Sequence, residues 1–495
     1  MALGEIGVWL GGGTPSKSRA EFWEGGTIPW VSPKDMKTAF IRDAEDHITT
    51  SALADSAAKL IPSGSILIVT RSGILEHSLP VATARVAVAI NQDLKAITPA
   101  PRIDPDYVRY ALVRFADEIL RECSKAGTTV SSIVTAKLQR FEIPVAPQEE
   151  QERVVRSLEA LTSRLDAAAD AFLRARANLK RYRASLLKVA CEGQLVPTEA
   201  ELARREDRDY EPANVLLERI LKERRAKWEE QELEKLRVKG KEPRDDRWKR
   251  KYREPEGPDT SGLPELPEGW VWSRLEQLGD PVTGTTPSTS DPANFGGSLP
   301  FLKPTDLDAG YRVCEAREFL TEQGASKARL LPELTLLVTC IGATIGKVGL
   351  ARRECTTNQQ INALIPAVGS PLPQYLFWLM VSPFGQRVIK KHASATTLPI
   401  LNKTKFSRLA VPLPPLAEQE RIVLEIERLW SIVESGERAV ESNRLRADRL
   451  RQSILKRAFE GRLVAQDPSE EPASRPLERI QAEREESEAR VGAGR

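Results

Sequence analysis

Cysteine and histidine are scarce in this chain, and neither is grouped. Five cysteines (Cys123, Cys191, Cys314, Cys340 and Cys355) are scattered without a CxxC pair, which argues against a disulfide framework or a structural zinc site. The three histidines, His47, His77 and His392, form no helix-spaced pair, so no metal ligand set is expected. Long apolar runs are missing too. No stretch of about 18 hydrophobic residues offers a membrane span, and the N-terminus has no signal-peptide core. A soluble, cytoplasmic chain with reduced thiols is the expectation. Nor does one sign of charge dominate. Lys and Arg number 73 against 70 Asp and Glu, a net charge of only +3, so contact with nucleic acid has to come from local patches.

Catalytic motifs are also missing. "GATIGKVG" (342–349) resembles a phosphate loop but has three residues between Gly342 and Gly346 where four are needed, and Val348 stands where Ser or Thr would hold magnesium. "GGGTPS" lacks the strand-then-helix setting of a dinucleotide fingerprint. There is no Asp/Asn-Pro-Pro-aromatic tetrapeptide to activate an adenine amine, no HExxH, and no evident PD…ExK nuclease cluster. Hydrophobic content of 41% and charged content of 29% are those of an ordinary globular protein. The expectation is a binding protein with no catalytic residue of its own.

What the chain does have is a repeat. Pro144 laid on Pro412 gives an offset of 268 residues, which holds without a gap from Tyr107/Tyr375 to "RASLLKVACEGQLV" (183–196) against "RQSILKRAFEGRLV" (451–464). Upstream, with small gaps, "GGGTPSKS" (11–18) answers "TGTTPSTS" (283–290), "IPWVSPKDM" answers "LPFLKPTDL", and "INQDLKAITPA" answers "NQQINALIPA". A period this long means two whole domain-plus-helix units, not a solenoid. Each unit opens with short β-rich runs such as "SILIVT" and "LTLLVT", punctuated by Pro and Gly, which read as an α+β domain with a largely antiparallel sheet.

Each unit then turns helical after a proline, Pro147 or Pro415, suited to a first helical turn. Stepping by three and four, Leu158, Leu161, Leu165, Ala168, Phe172, Ala175, Leu179, Tyr182, Leu186 and Val189 give an unbroken coiled-coil seam. The second seam, Ile426, Leu429, Val433, Gly436, Val440, Asn443, Ala447, Leu450, Ile454 and Arg457, is interrupted by Gly436, Asn443 and Arg457. Both helices end at a glycine suited to a left-handed cap, Gly193 and Gly461. At ~1.5 Å per residue each would be about 65–70 Å long. Pairing with a second copy of the chain is one reading; the more economical one pairs the two matched seams with each other, antiparallel.

The ends of the repeat suggest a cyclic, pseudo-two-fold arrangement. "EPANVLLERI" (211–220) follows the first helix and "EPASRPLERI" (471–480) follows the second. The tail is thus a candidate for packing near the N-terminus, which starts without the "LPEGWVW" (266–272) that precedes the second domain. The stretch 198–263 reads as a charged helical connector, its "KRK" solvent-facing rather than phosphate-binding.

The repeated loops are polar and small, which suits phosphate oxygens and base edges, although any one of them also reads as a plain turn. Candidate DNA contacts are Thr14, Ser16, Lys17, Lys34, Arg71, Asn91, Gln92, Thr128, Thr129 and Lys137 in the first unit. In the second they are Thr286, Ser288, Lys303, Thr305, Lys347, Asn358, Gln359, Thr396, Thr397, Asn402, Lys403 and Lys405. Positions that differ between units, Arg71 against Cys340 and Asp93 against Gln360, are where separate targets would be read.

Taken together, "GGTPS", "IPWVSPKD"/"LPFLKPTD", "GATIGKVG", the "NQ" pairs, the two "EQER" helix starts and "LPEGWVW" resemble the specificity subunit of type I restriction-modification systems. The resemblance covers nearly the whole chain. It implies target recognition domains at 1–147 and 266–414, spacer helices at 148–193 and 415–461, the connector at 194–265 and a tail at 462–495. It also implies that each domain reads one half of a bipartite, asymmetric duplex DNA site. One such subunit would carry two methylation subunits on its spacer region and accept two restriction (motor) subunits. S-adenosylmethionine, ATP and magnesium would belong to those partners, with no cofactor on this chain. The rival readings are a self-contained DNA-modifying enzyme and a coiled-coil scaffold with no DNA role.

Overall fold

The computed structural model describes residues 1–125, 131–238, 240, 245–367, 373–394 and 399–471, together with 475 and 478. The chain divides into two units: Met1–Leu173 with Glu441–Arg495, and Arg174–Val440. Among the described residues no helix is long and apolar enough to cross a membrane.

In the first unit a five-stranded sheet runs in the order Gly7–Gly11, Leu94–Pro99, Ile66–Val69, Val81–Ala84, Phe40–Ile41. A four-stranded sheet lies in the order Asp46–Ile48, Ile28–Val31, Val88–Ile90, Leu60–Ile61. Pairing is antiparallel except where Ile28–Val31 meets Val88–Ile90 and Phe40–Ile41 meets Val81–Ala84. The run Ile66–Val69 is buried at all four positions, which explains a continuous apolar stretch where a one-faced strand would alternate.

The second unit repeats this plan down to strand register. Its four-stranded sheet orders Gly279–Thr283, Ile361–Pro366, Leu336–Thr339 and Val348–Leu350. Gly7 lies opposite Pro99 as Gly279 lies opposite Pro366, and Ile66 opposite Ile97 as Leu336 opposite Leu364. The first-strand glycine is needed in both copies. A Cβ on Gly7 would stand 2.1 Å from the Thr98 carbonyl oxygen, and one on Gly279 2.4 Å from that of Ile365.

The long helices are Gln148–Cys191 and Leu416–Phe459. Within each unit, the segments of the two helices that belong to it run antiparallel. In the first, Asp166 pairs with Arg451, and Val154, Val155 and Leu158 share a core with Ile454, Leu455, Ala458 and Phe459. In the second, Leu179 packs on Gly436 and Arg183 pairs with Glu437. Fully burying a side chain such as Leu158 contributes about 2 kcal/mol.

The expected seam is buried at some positions and exposed at others. Leu158, Leu186, Ile426, Val433 and Ile454 are buried, and Leu161 and Leu165 pack against the first core. Phe172, Leu179, Leu429 and Val440 are half-buried. Asn443 and Leu450 are exposed, as is Tyr182, the counterpart of Leu450. This corrects the reading that they sit in a continuous seam. The same stepping is buried again four residues beyond Tyr182 and Leu450, at Leu186 and Ile454, beside the buried Leu187 and Leu455.

The "EQER" phrase is a clasp at each helix start. Gln151 donates to the Ala146 carbonyl at 2.8 Å, and Gln419 to that of Pro414 at 2.8 Å. Arg153 reaches the Ala465 carbonyl and Glu470, while Arg421 reaches the Pro197 carbonyl and Glu199. The tail therefore meets the first helix start as the segment after the first helix meets the second. The connector is not free-standing: its helix Ala213–Val238 buries Ala213, Leu216 and Ile220 in the second unit's core beside Trp270. Burial lifts the Glu418 carboxyl above its ordinary value, and it accepts from Trp270 Nε1 at 2.9 Å and the Glu199 amide at 2.8 Å.

Glu199 is almost fully buried. Burial opposes its ionisation, but bonds from Arg208 at 2.7 Å and Arg421 at 2.6 Å outweigh that and hold it below its ordinary value. A carboxyl lowered on folding stabilises the protein above its unfolded pKa and loses that contribution as pH falls through the folded value. Glu199→Gln is therefore expected to cost about 3 kcal/mol at neutral pH. In thermal melts between about pH 7 and about pH 3 it should also flatten the acid limb. An acid limb as steep as the parent's would contradict this assignment.

Candidate nucleic-acid interface

The repeated polar loops are far apart in sequence, and backbone bonds draw them together at one end of each sheet. In the first unit the Gly13 amide donates to Ile90 O at 3.0 Å, Thr70 and Arg71 amides donate to Asp93 O, and the Ser72 amide donates to Ser131 O at 3.2 Å. The second unit matches this: Thr285 donates to Thr357 O, Cys340 to Gln360 O, Leu401 to Cys340 O, and Gly342 to Pro399 O. Four loops thus converge in each copy. The glycine of the "GGTPS" motif is what permits the approach. A Cβ on Gly12 would lie 2.1 Å from Asn91 O, and one on Gly284 2.2 Å from Asn358 O.

Side chains on these loops repeat their bonds as well. Thr14 donates to Gln92 and Thr286 to Gln359. Ser16 pairs with Ser18, and Ser288 with Ser290, each at 2.8 Å. Asn91 and Asn358 are buried, and each accepts from the amide two residues on, that of Asp93 or Gln360. Their polar groups hold the turn that presents Gln92 and Gln359. Asn402 caps the helix Lys403–Ser407 by accepting from the Lys405 amide at 2.9 Å. Thr305 is exposed beside the loop that Asp306 organises. Thr128, Thr129, Thr396 and Thr397 lie outside the described residues.

The candidate cations fall into two groups. Lys34 pairs with Asp46 and Glu45, Arg71 with Asp93 at 2.6 Å, Lys303 with Glu318, and Lys347 with Asp308 at 2.7 Å. Lys137 donates to Glu122 O at 3.3 Å. Lys17, Lys403 and Lys405 are exposed with no such partner among the described residues. A phosphate oxygen can reach these three without first displacing an ion pair.

At equivalent backbone positions the two platforms differ chemically. Arg71 and Asp93 form a charged pair in the first. In the second, Ile341 occupies the Arg71 position, Gln360 accepts from Asn358 Nδ2 at 2.9 Å, and Cys340, the counterpart of Thr70, has a buried thiol facing Gln359 O. Burial pushes that thiol up to about 11, and those of Cys191 and Cys355 to about 12, so none is a thiolate nucleophile at neutral pH. "GATIGKVG" is the turn between strands Leu336–Thr339 and Val348–Leu350, with Gly342 and Gly346 at positive φ.

Sequence reasoning missed Asp35 and Asp306. They order the "SPKD" and "KPTD" loops by accepting from the Ser32 and Lys303 amides at 2.8 and 2.7 Å. The three-residue spacing of the acid after the amide was the available signal. It also missed a cleft between each domain and its helix segment, about 640 Å³ in the first unit and 610 Å³ in the second. Glu159, Ser163 and Arg451 line the first, and their counterparts Glu427, Ser431 and Arg183 line the second. In the second, Tyr311 stacks on Trp378 at 4.9 Å and Trp378 meets Trp430 at 4.8 Å, fixing the domain to its helix segment.

A fold unit built twice, each copy ending in a polar loop platform with its own charges, defines a protein with two comparable but non-identical binding faces. The family model described as the type I restriction modification DNA specificity domain matches residues 1–170 and again 267–439. The chain belongs to that family. It is 48% identical over 157 residues to the type I restriction enzyme EcoR124I/EcoR124II specificity subunit of Escherichia coli, a match covering 32% of this chain and 39% of that protein. It is 24% identical over 383 residues to the EcoBI specificity subunit of E. coli, covering 72% of this chain and 68% of the relative. The first of these matches thus spans well under half of the relative's length.

Two solved structures share the fold. A chain from a study of complex assembly and conformational transition of the type I R-M system aligns with a TM-score of 0.61 at 20% identity, over 94% of this chain and 97% of that one. The HsdS subunit from Thermoanaerobacter tengcongensis aligns with a TM-score of 0.52 at 19% identity, over 94% and 96%.

If the platforms meet DNA, the unpaired cations carry the salt dependence. Lys403→Gln with Lys405→Gln is expected to reduce the slope of log K against log salt by about 1–2, at ~0.9 per phosphate contact. Fluorescence anisotropy on a duplex, with the partner subunits present, measures it. Lys303→Gln, whose parent lysine is already paired, should change the slope less; the reverse ranking would sink the argument.

Proposed function

We propose that this chain is the DNA sequence-specificity subunit of a type I restriction-modification complex, each recognition platform reading one half of a bipartite duplex site. The observation that carries the reading is the pairing of a shared backbone with unlike side chains. Strand register, turns and loop bonds recur in both units, while Arg71 and Asp93 give way to Ile341 and Gln360. Duplicated geometry with divergent chemistry is what reading two different half-sites requires, since phosphate contacts position a protein and base contacts specify the sequence.

The paired helices set the number of unread base pairs between the half-sites and carry two methylation subunits, to which two restriction subunits add. Those partners supply the catalysis and hold S-adenosylmethionine, ATP and magnesium; this chain is non-catalytic. The family membership and the names of the relatives support this division of labour.

Exchange of residues 1–146 for the corresponding domain of another family member tests the reading, with methylated sites mapped by long-read sequencing of the complex. One half-site is expected to change while the other half-site stays. Two unchanged half-sites would show that the exchanged domain does not read DNA.

A further inference from the structure

The second unit carries a feature that the duplication does not account for. The helix Ala213–Val238 starts in the core but leaves it after Ile220. The segment Asp246–Lys251 folds back on it as a 3-10 turn. The indoles of Trp228 and Trp248 stack with centroids 6.1 Å apart, and Tyr252 closes on Trp228 at 5.3 Å. The base of this arm is tied to the recognition domain: Arg224 bonds the Gly279 carbonyl and pairs with Asp280 at 2.8 Å. The arm is therefore a built structure on the domain.

Its cations fall into two sets. Arg225 and Lys249 pair with Glu229, and Arg247 with Asp245. Lys222, Lys227, Arg250, Lys251 and Arg253 are exposed, and none has an acidic partner among the described residues. Five unneutralised cations stand around one aromatic clasp in a chain whose net charge is only +3. Aligned on the shared "EP", the C-terminal tail has Ala482, Glu485, Ser487 and Glu488 where the arm has Lys222, Arg225, Lys227 and Trp228. The basic-aromatic character thus belongs to the arm alone. It is not a by-product of duplication.

We infer that this arm is a sequence-independent contact for the phosphate backbone of duplex DNA, separate from the two reading platforms. The inference rests on the DNA-reading function proposed above and adds a second contact to it. Exposed lysines and arginines without counter-charges bind phosphates by releasing condensed counterions, which gives affinity without base preference. An arm on one unit only also makes the complex electrostatically asymmetric on its site. Flanking DNA beyond the second unit's half-site is held more firmly than DNA beyond the first.

The test uses the full chain assembled with its partner subunits, and a variant with Lys222, Lys227, Arg250, Lys251 and Arg253 all changed to Gln. The aromatic clasp is untouched, and circular dichroism and tryptophan emission check that the arm is intact. Binding to a random-sequence duplex is measured across a salt series. Affinity at low salt is expected to fall by about 10-fold or more, and the slope of log K against log salt by about 2–4, at ~0.9 per phosphate. The mapped methylation sequence stays the same. A variant with Lys and Arg interchanged at the five positions should restore the slope. Unchanged affinity and slope overturn the inference, as does intact DNA binding with loss of a partner subunit, which marks the patch as a protein-docking surface. Failure of the parent complex to bind duplex DNA at all is a different result, and overturns the reading function itself.

Discussion

Two helices that each carry a single apolar stripe cannot leave it in water, and the rest of this structure depends on how those stripes are covered. At Leu158 and Leu455 in one unit, and at Leu187 and Ile426 in the other, the cover comes from the opposite helix running the other way and from the foot of a domain. The polar clasps at the helix starts add direction to this burial. Gln151 and Gln419 close the carbonyls of the preceding loops, while Arg153 and Arg421 capture the segment that leaves the opposite helix. A hydrophobic stripe alone tolerates sliding. A buried amide and a guanidinium with named partners do not, because shifting them would leave polar groups unsatisfied.

Much of this was legible in the sequence, for a specific reason. An offset that holds ungapped from Tyr107/Tyr375 onward exposes two helices of equal length and identical starts. The β-rich runs flanked by Pro and Gly identify the strands Ile66–Val69 and Leu336–Thr339. The seam was legible only in part. Three-four stepping places Tyr182, Asn443 and Leu450 inside, but they are exposed while Leu186 and Ile454 on the same stepping are buried, so burial follows what covers each stretch and not the stepping alone. The connector read as charged and solvated because Ala213, Leu216 and Ile220 are too few to show a stripe against its charges.

The binding platforms were legible as composition but not as geometry. Nothing local says that Thr14 meets Gln92 or that Thr286 meets Gln359, bonds that span 78 and 73 residues. Nor does sequence separate the lysines held in ion pairs, Lys303 and Lys347, from Lys403 and Lys405, which have no acidic partner among the described residues. The Asn residues of the "NQ" pairs build the turn, leaving Gln92 and Gln359 to face outward. Repetition alone could not reveal this, since framework and reader recur together when a fold is duplicated. The difference between copies is the better guide, and it falls at Asp93/Gln360 and at Arg71, whose place the structure gives to Ile341 while Cys340 matches Thr70.

The antiparallel, intramolecular pairing of the helices is tested most directly by cysteine pairs in the full chain with the exposed Cys314 replaced by Ser. One pair is Asp166→Cys with Arg451→Cys, the other Leu179→Cys with Gly436→Cys. On mild oxidation both should form disulfides within a single chain, with no rise in mass on non-reducing gels. Covalent dimers alone from both pairs would mean that each stripe is covered by a second molecule, and the account built on a self-paired chain would be wrong.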